Sequence, residues 1–295
     1  MKIGVCGTGR MGAAITQRLM SVGHTVGVWN RNSAKTSALV EAGAKLYASP
    51  AELVEGCDVS IMMLLDDAAT EAVYRAPNGI LKAKLAGRLL IDMSTIRPET
   101  MKSNGFAAFQ EGAGFVECPV GGSTAPAREG KLLGLAGSKA DVARAMPILE
   151  QLCRRIEHVG ELGAGSTMKL AVNLPLLGYW QALGEALTIC KRLDLPADRL
   201  IDILTDTSGA PTAMKGRGPV IAKVLGGAPL GSTAFGLSAA KKDLACAVQF
   251  GASLHAELPI TASALACYEE AEAAGLGDAD ATAVSTRWCQ RKITL

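Results

Sequence analysis

The sequence predicts an α/β domain built on a parallel sheet, followed by an all-helical domain. Short apolar runs alternate with helical stretches from the N-terminus to about Gly160, which is the pattern of repeated βαβ units. A glycine-rich turn joins the first apolar run to the first helical stretch. After Gly160 no strand pattern appears, and helical stretches continue to the C-terminus.

The N-terminal stretch carries the most specific signal. An apolar run, Lys2–Cys6, leads into Gly7-Thr8-Gly9-Arg10-Met11-Gly12, and a helical stretch and a second apolar run follow. In this context the first glycine permits a tight turn, the second lets a pyrophosphate approach the backbone, and the third lets the helix pack on the sheet. The helix N-terminus adds free N–H groups and a partial positive charge. We therefore expect a Rossmann-type dinucleotide-binding domain; an ordinary glycine turn is the alternative.

The end of the second apolar run predicts which dinucleotide binds. A carboxylate there would accept the ribose 2′-OH of NAD, whereas an arginine accommodates the 2′-phosphate of NADP. The chain has no carboxylate here, and Arg31 can stack on the adenine and pair with the phosphate. We expect NADP, with NAD or an ordinary surface arginine as the alternatives. The candidate residues are Asn30, Arg31 and Asn32, with Ser33 as a further donor.

Composition limits the other functions. A length of 295 residues suggests two domains, and 49% hydrophobic with 20% charged residues fits a chain with a sizeable core. The net charge of +2 gives no reason to expect nucleic acid or a membrane surface as a partner. The eight cysteines contain no C-x-x-C pair, and no metal-binding constellation is seen. We expect reduced cysteines, no metal, and a cytoplasmic protein without a signal peptide or membrane span.

The remaining pattern predicts the order of the elements. The expected domains are residues 1–162 and 163–295, with a long helix at 167–193 opening the second. Ser49 is expected to cap a helix that starts with Pro50. Further strands are predicted at 44–48, 58–65, 88–92, 114–118, 132–137 and 154–159. Further helices are predicted at 66–75, 98–112, 140–152, 197–205, 220–225, 238–252 and 260–275.

Two polar segments follow predicted strands, where ligands of open α/β sheets bind. Ser94 and Thr95 could face a cofactor, or could cap the helix that begins at Pro98. The loop from Pro119 to Gly130 is rich in glycine and small hydroxyl residues. Its backbone N–H groups suit an anionic ligand such as a carboxylate.

A candidate catalytic pair lies at the start of the long helix. Lys169 and Asn173 are four residues apart and so share one helix face. A lysine ammonium can donate a proton to a carbonyl oxygen as hydride reaches the carbon, and can take it back in the reverse reaction. Asn173 can orient the lysine or the substrate oxygen. A solvated surface lysine is the alternative that spacing alone favours.

Five motifs occur in an order that resembles one known family. They are the glycine turn, the segment Asp92–Pro98, the loop Pro119–Leu132, the segment Gly163–Asn173 and the triplet Lys242-Asp243-Leu244. Over essentially the whole chain this looks like the β-hydroxyacid dehydrogenase family, in its short branch. The resemblance implies a 6-phosphogluconate-dehydrogenase-like helical C-terminal domain.

The resemblance also implies roles for single residues. Lys169 would be the catalytic acid and base, with Asn173 beside it. Gly122, Ser123 and Thr124 would hold the substrate carboxylate. Thr95 and the backbone at Leu64 and Leu65 would touch the nicotinamide half of the cofactor, and Lys242 would reach it from the helical domain. Members of the family are commonly homodimers or homotetramers.

The chain departs from the family pattern at three places. The loop reads Gly121-Gly122-Ser123 where Ser-Gly-Gly is usual, Leu174 replaces a second asparagine, and no aromatic residue occurs in Ser208–Met214. All three affect the choice of substrate rather than the type of reaction. We expect an NADP-dependent oxidoreductase that interconverts a small 3-hydroxy acid and its semialdehyde. The alternatives are an imine reductase-like enzyme, which typically has Asp or Tyr in place of Lys169, and a non-catalytic NADP-binding regulatory protein.

Overall fold

The computed structural model describes residues 1–138, 140–231, 233 and 235–290, and of Cys289 and Gln290 it describes the backbone alone. The chain divides into two compact units, Met1–Leu170 and Ala171–Leu295. This division falls within one long helix. The domain boundary expected between residues 162 and 163 stays a prediction.

The first unit contains a sheet of nine strands among the described residues, in the order β3-β2-β1-β4-β5-β6-β8-β7, with β9 beside β8. Strands β1 to β6 run parallel, whereas β8 is antiparallel to β6 and β7. The strand order reverses between β1 and β4, and dinucleotides bind at such a switch point. The strands are β1 (Lys2–Cys6), β2 (Thr25–Trp29), β3 (Lys45–Leu46), β4 (Val59–Met62), β5 (Leu89–Asp92), β6 (Gly114–Glu117), β7 (Val120–Gly121), β8 (Leu132–Gly137) and β9 (Cys153–Gly160).

Helices cover both faces of this sheet, which is why its central strands are apolar throughout. In β5, Leu89 and Ile91 belong to one buried cluster and Leu90 to another. Ser49 and Asp66 cap their helices by accepting hydrogen bonds from the N–H groups of Glu52 and Ala69, at 3.1 and 2.7 Å. The helices are α1 (Arg10–Ser21), α2 (Ser37–Glu41), α3 (Pro50–Gly56), α4 (Asp67–Arg75), α5 (Pro98–Gln110), α6 (Thr124–Glu129), α7 (Val142–Leu152) and the first turns of α8 (Ala164–Ile189).

The second unit is helical, and its described residues contain no strand apart from an isolated bridge between Gly236 and Asp280. Leu177, Trp180 and Leu187 line one side of α8 and pack into the core of this unit. The remaining helices are α9 (Ala197–Thr205), α10 (Met214–Leu225), α11 (Leu237–Ser253), α12 (Pro259–Ala271) and α13 (Ala283–Gln290). The predicted fold class, a Rossmann-type domain followed by a helical domain, is confirmed.

Several predicted elements were wrong in detail. The segment predicted as a loop from 119 to 130 contains β7 and α6, because Pro126 is the third helical residue, where a missing N–H breaks no helical hydrogen bond. Helix α10 starts at Met214 rather than residue 220, since Met214 is buried and Gly218 lies against Ile201. Helix α8 ends at Ile189 in a 3₁₀ turn, and α13 was not predicted.

Candidate active site

The glycine turn after β1 is shaped by packing at two of its three glycines. Gly7 has a φ of +97°, and a Cβ there would lie 2.4 Å from the carbonyl oxygen of Met63. A Cβ on Gly12 would lie 1.8 Å from the carbonyl oxygen of Gly7. A Cβ on Gly9 would meet no atom within 4 Å. Gly7 and Gly12 therefore let the turn, β4 and α1 pack together, while the space beside Gly9 is free for a ligand.

The N-terminus of α1 offers its amides to an anion. Its N-cap is Gly9, no side chain caps it, and its first turn has no acidic residue. Arg10 is exposed and Met11 is half-buried. An uncapped N-terminus beside open space fits the pyrophosphate of a dinucleotide, because the helix dipole and free N–H groups both favour negative charge.

The predicted cofactor residues after β2 divide into two roles. The side-chain oxygen of Asn30 accepts a hydrogen bond from the Thr8 N–H at 3.1 Å, which ties the glycine turn to the end of β2. Asn32 caps the following 3₁₀ turn by accepting from the Ala34 N–H at 3.1 Å. Arg31 lies exposed between them. The two asparagines therefore organise the backbone, and the Arg31 guanidinium is held out beside it.

A buried chain of hydrogen bonds links the ends of β4 and β5. The Ser94 hydroxyl accepts from the Leu64 N–H at 2.9 Å, and Asp92 accepts from the Ser94 N–H at 3.0 Å and the Tyr74 hydroxyl at 2.9 Å. Burial raises the pKa of Asp92 above its ordinary value, and these hydrogen bonds oppose that shift. Ser94 is fully buried, and the N-cap of α5 is Arg97, so Ser94 does not cap that helix.

The two nicotinamide candidates beside this chain are more accessible. The Leu65 side chain is 63% exposed and Thr95 is half-buried. Their contact with a nicotinamide ring stays a prediction, as does that of the Leu64 backbone.

The predicted substrate residues surround the start of α6. Gly122 has a φ of +125°, and Ser123 is the N-cap, although its hydroxyl makes no capping hydrogen bond. Ser123 and Thr124 are half-buried. This arrangement leaves the hydroxyl of Ser123 available to a ligand beside the first amides of α6, and its role with a carboxylate stays a prediction.

The N-terminus of α8 donates hydrogen bonds to Glu117, a residue that the sequence analysis did not single out. Glu117, at the end of β6, is fully buried and accepts hydrogen bonds from Gly163, Gly165 and Ser166. Burial raises the pKa of Glu117 above its ordinary value, and these hydrogen bonds oppose only part of that shift. Lys169, one turn further along α8, is 8% exposed. A single charge inside the apolar run from Phe115 to Cys118 is the signal that could have identified Glu117.

In the second unit, Asp243 joins two of the predicted site residues. The Asn173 amide donates to Asp243 Oδ2 at 2.7 Å, and Lys242 Nζ lies 2.5 Å from Asp243 Oδ1. Asp243 is buried, so this carboxylate fixes both side chains. The expectation that Lys242 reaches the cofactor stays a prediction. Asp243 appeared in the sequence only as part of a motif, and its organising role was missed.

Other kinds of site are not seen in the described part of the chain. It contains seven free cysteines and no cluster of His, Cys, Asp or Glu that could hold a metal ion, while the side chain of Cys289 lies outside the described residues. Burial raises the pKa of Cys153 to about 12. Among the described helices, none combines the length and apolar character needed to cross a membrane.

Comparison with known proteins identifies the family. Residues 2–160 match the model of the NAD binding domain of 6-phosphogluconate dehydrogenase, and residues 163–288 match the NAD-binding model of NADP-dependent 3-hydroxyisobutyrate dehydrogenase. The chain belongs to the β-hydroxyacid dehydrogenase family. It is therefore an oxidoreductase with a nicotinamide dinucleotide as its cofactor, as the uncapped N-terminus of α1 and the space at Gly9 also indicate.

Two relatives and one solved structure match this chain over nearly their whole length. Glyoxylate/succinic semialdehyde reductase 1 of Arabidopsis thaliana is 36% identical over 96% of this chain and 97% of its own. The 2-(hydroxymethyl)glutarate dehydrogenase of Eubacterium barkeri is 31% identical over 98% of this chain and 95% of its own. The structure of Mycobacterium tuberculosis 3-hydroxyisobutyrate dehydrogenase with L-serine superposes with a TM-score of 0.82 at 28% identity, covering 97% of this chain and 98% of that one.

Proposed function

We propose that the protein interconverts a small 3-hydroxy acid and its semialdehyde with NADP(H), and that Lys169 is the general acid and base. The observation that carries the proposal is the burial of Lys169 one turn inside α8. A buried ammonium must be stabilised by partners, and a lysine that served only solubility would be exposed. The semialdehyde reductase and hydroxyacid dehydrogenases among the relatives support the reaction class.

The residues divide the chemistry among themselves. The cofactor, when bound, donates or accepts the hydride. Lys169 donates a proton to the carbonyl oxygen during reduction and removes it from the hydroxyl during oxidation. Gly122, Ser123 and Thr124 bind the carboxylate of the substrate through N–H and hydroxyl groups. Asn173, held by Asp243, orients the reacting oxygen or the lysine.

The preference for NADP over NAD rests on Arg31. Arg31 is exposed and is the second residue after β2, and the segment Asn30-Arg31-Asn32-Ser33 contains no carboxylate that would repel a phosphate. The matching of residues 163–288 to a model named for an NADP-dependent enzyme supports the same choice.

A substrate screen tests the reaction class. Purified protein with NADPH or NADH is offered glyoxylate, succinic semialdehyde, tartronate semialdehyde and methylmalonate semialdehyde. For the reverse reaction it is offered the matching hydroxy acids with NADP⁺ or NAD⁺. We expect NADPH-dependent reduction of at least one of these aldehydes, measured as loss of absorbance of the reduced nicotinamide. Tartronate and methylmalonate semialdehydes give 3-hydroxy acids, whereas turnover of glyoxylate or succinic semialdehyde alone would keep the reaction class and contradict the 3-hydroxy position. Turnover of cyclic imines alone would indicate the imine reductase alternative. NADPH binding with no turnover of any carbonyl or imine would indicate the regulatory protein.

The assembly and location are further parts of the proposal. We propose a cytoplasmic homodimer or homotetramer, as the family resemblance implies. Light scattering on the purified protein gives the mass directly, and a monomer at micromolar concentration would contradict the proposal.

A further inference from the structure

Both carboxylate oxygens of the buried Glu117 accept hydrogen bonds. Its Oε1 atom accepts from the N–H groups of Gly163 and Gly165, at 2.5 and 2.8 Å. Its Oε2 atom accepts from the N–H and the hydroxyl of Ser166, at 3.2 and 2.8 Å. Three of these four partners are backbone N–H groups, which only donate, so the site suits an ionised carboxylate, which only accepts.

The backbone at two glycines packs closely against the Glu117 side chain. A Cβ on Gly137, its partner across the sheet, would lie 2.2 Å from Glu117 Oε1. A Cβ on Gly165 would lie 2.4 Å from the Leu135 carbonyl oxygen and 3.2 Å from Glu117 Cδ. The first turn of α8 therefore rests directly on the carboxylate and on β8. Strand β6 and helix α8 are joined here by residues 46 to 49 positions apart in the chain.

The geometry of α8 couples the position of its first turn to the position of Lys169. Gly165 and Ser166 precede Lys169 by four and three residues, so all three lie on one face of α8. A helix rises about 5.4 Å per turn, which places Lys169 one turn from the amides that Glu117 binds. A displacement or rotation of the first turn moves Lys169 with it. A misplacement of about 1 Å in a reacting group can cost roughly 100-fold in rate.

We propose that Glu117 is a positioning residue that sets the place of Lys169 by binding the N-terminus of α8, an inference that rests on the proposed function of Lys169. The carboxylate does for α8 what a bound anion does at other helix N-termini, and it supplies negative charge where the helix dipole is positive. Glu117 acts on the reaction only through Lys169.

The variant Glu117→Gln tests this with little change in volume. Wherever the glutamine amide group points, it brings N–H donors towards N–H donors of α8. We expect kcat to fall by roughly 10- to 100-fold, with the NADPH dissociation constant changed by no more than about twofold. The matched control is Asp141→Asn. Asp141 is also buried and accepts from the Phe115 N–H at 3.1 Å, at the start of the same strand, but no described hydrogen bond joins it to α8. It should lower stability and leave kcat unchanged.

A double-mutant cycle separates positioning from general damage. In a Lys169→Ala background, Glu117→Gln should change the residual single-turnover rate by no more than about twofold, because the group it positions is gone. Equal losses in both backgrounds, or wild-type kcat for Glu117→Gln, would overturn the inference. If Glu117→Gln does not fold, Ser166→Ala provides a second test, because it removes only one of the donors to Glu117. We expect a smaller loss of kcat, and this loss should disappear in the Lys169→Ala background. An unchanged kcat, or a loss that persists in that background, would overturn the inference. Wild-type turnover by Lys169→Ala itself would instead refute the proposed function.

Discussion

Helices α1 and α8 both follow a glycine in the first unit, Gly9 and Gly163, but the free N–H groups at their N-termini are treated in opposite ways. At α1 no side chain caps the helix, and Gly9 borders open space. At α8 a buried carboxylate, Glu117, takes up the amides of the first turn. The same partial charge is left for a ligand in one place and satisfied by the protein in the other.

The difference separates binding from positioning. An N-terminus that must receive and release a dinucleotide cannot be filled by the chain itself. An N-terminus that carries the proposed proton donor benefits from being fixed before any ligand arrives, since preorganised groups need no rearrangement during reaction. We therefore expect substitutions at the N-terminus of α1 to change cofactor binding, and substitutions at the N-terminus of α8 to change turnover.

Gly12→Ala should have the largest effect on the free energy of unfolding. The added methyl would lie 1.8 Å from the Gly7 carbonyl oxygen, which is backbone and cannot move aside cheaply. We expect a loss of about 3 kcal/mol or more, measured by urea unfolding. A variant as stable as the wild type would show that the turn and α1 are not packed as described.

Gly9→Ala should weaken the cofactor while leaving the fold intact. Its φ is −64° and no atom lies within 4 Å of the new methyl, so the free protein accommodates alanine. The methyl would stand where a pyrophosphate approaches the backbone. We expect the dissociation constant for NADPH, measured by fluorescence titration, to rise by roughly 10- to 100-fold. Unchanged affinity would place the pyrophosphate elsewhere.

Arg31→Ala should distinguish the two cofactors. Removing the guanidinium should raise the KM for NADPH roughly tenfold, the value of a charge-assisted hydrogen bond, and leave that for NADH nearly unchanged. Arg31→Lys is the control, because it keeps the charge and loses the planar fork, and should give an intermediate KM. Equal effects on both cofactors would rule out the 2′-phosphate role.

Ser49→Ala should have the smallest effect and serves as the ordinary case of a capped N-terminus. The Ser49 hydroxyl caps α3, a helix that contains none of the predicted site residues. We expect a loss of about 1 kcal/mol in stability and unchanged kcat and KM. A change in kcat or KM in this variant would contradict the view that the kinetic effects are specific to the N-termini of α1 and α8.

The N-terminal half of the fold could be predicted because its signals are local. The run from Lys2 to Gly12 combines strand, turn and helix within one βαβ unit, and Gly7 and Gly12 each have a separate steric reason. Ser49 and Pro50 predicted the start of α3 for the same reason, since capping involves residues only three apart.

The parts that could not be predicted depend on partners far apart in the chain. Glu117 looked like one more residue of a strand, and only the fold brings it to Gly163. Helix α10 was predicted to start only after Pro219, whereas in the structure it starts at Met214, which is buried. Local propensity is a weak guide where tertiary packing chooses the boundary.

The single-turnover rate of Lys169→Ala tests the central claim most directly. The variant is saturated with NADPH, mixed with the substrate that the screen identifies, and followed by nicotinamide absorbance, with NADPH affinity measured on the same sample. The account predicts a rate lower by roughly 10²- to 10⁴-fold, with the NADPH dissociation constant within about twofold of wild type. A wild-type rate would contradict the assignment of Lys169 as the proton donor.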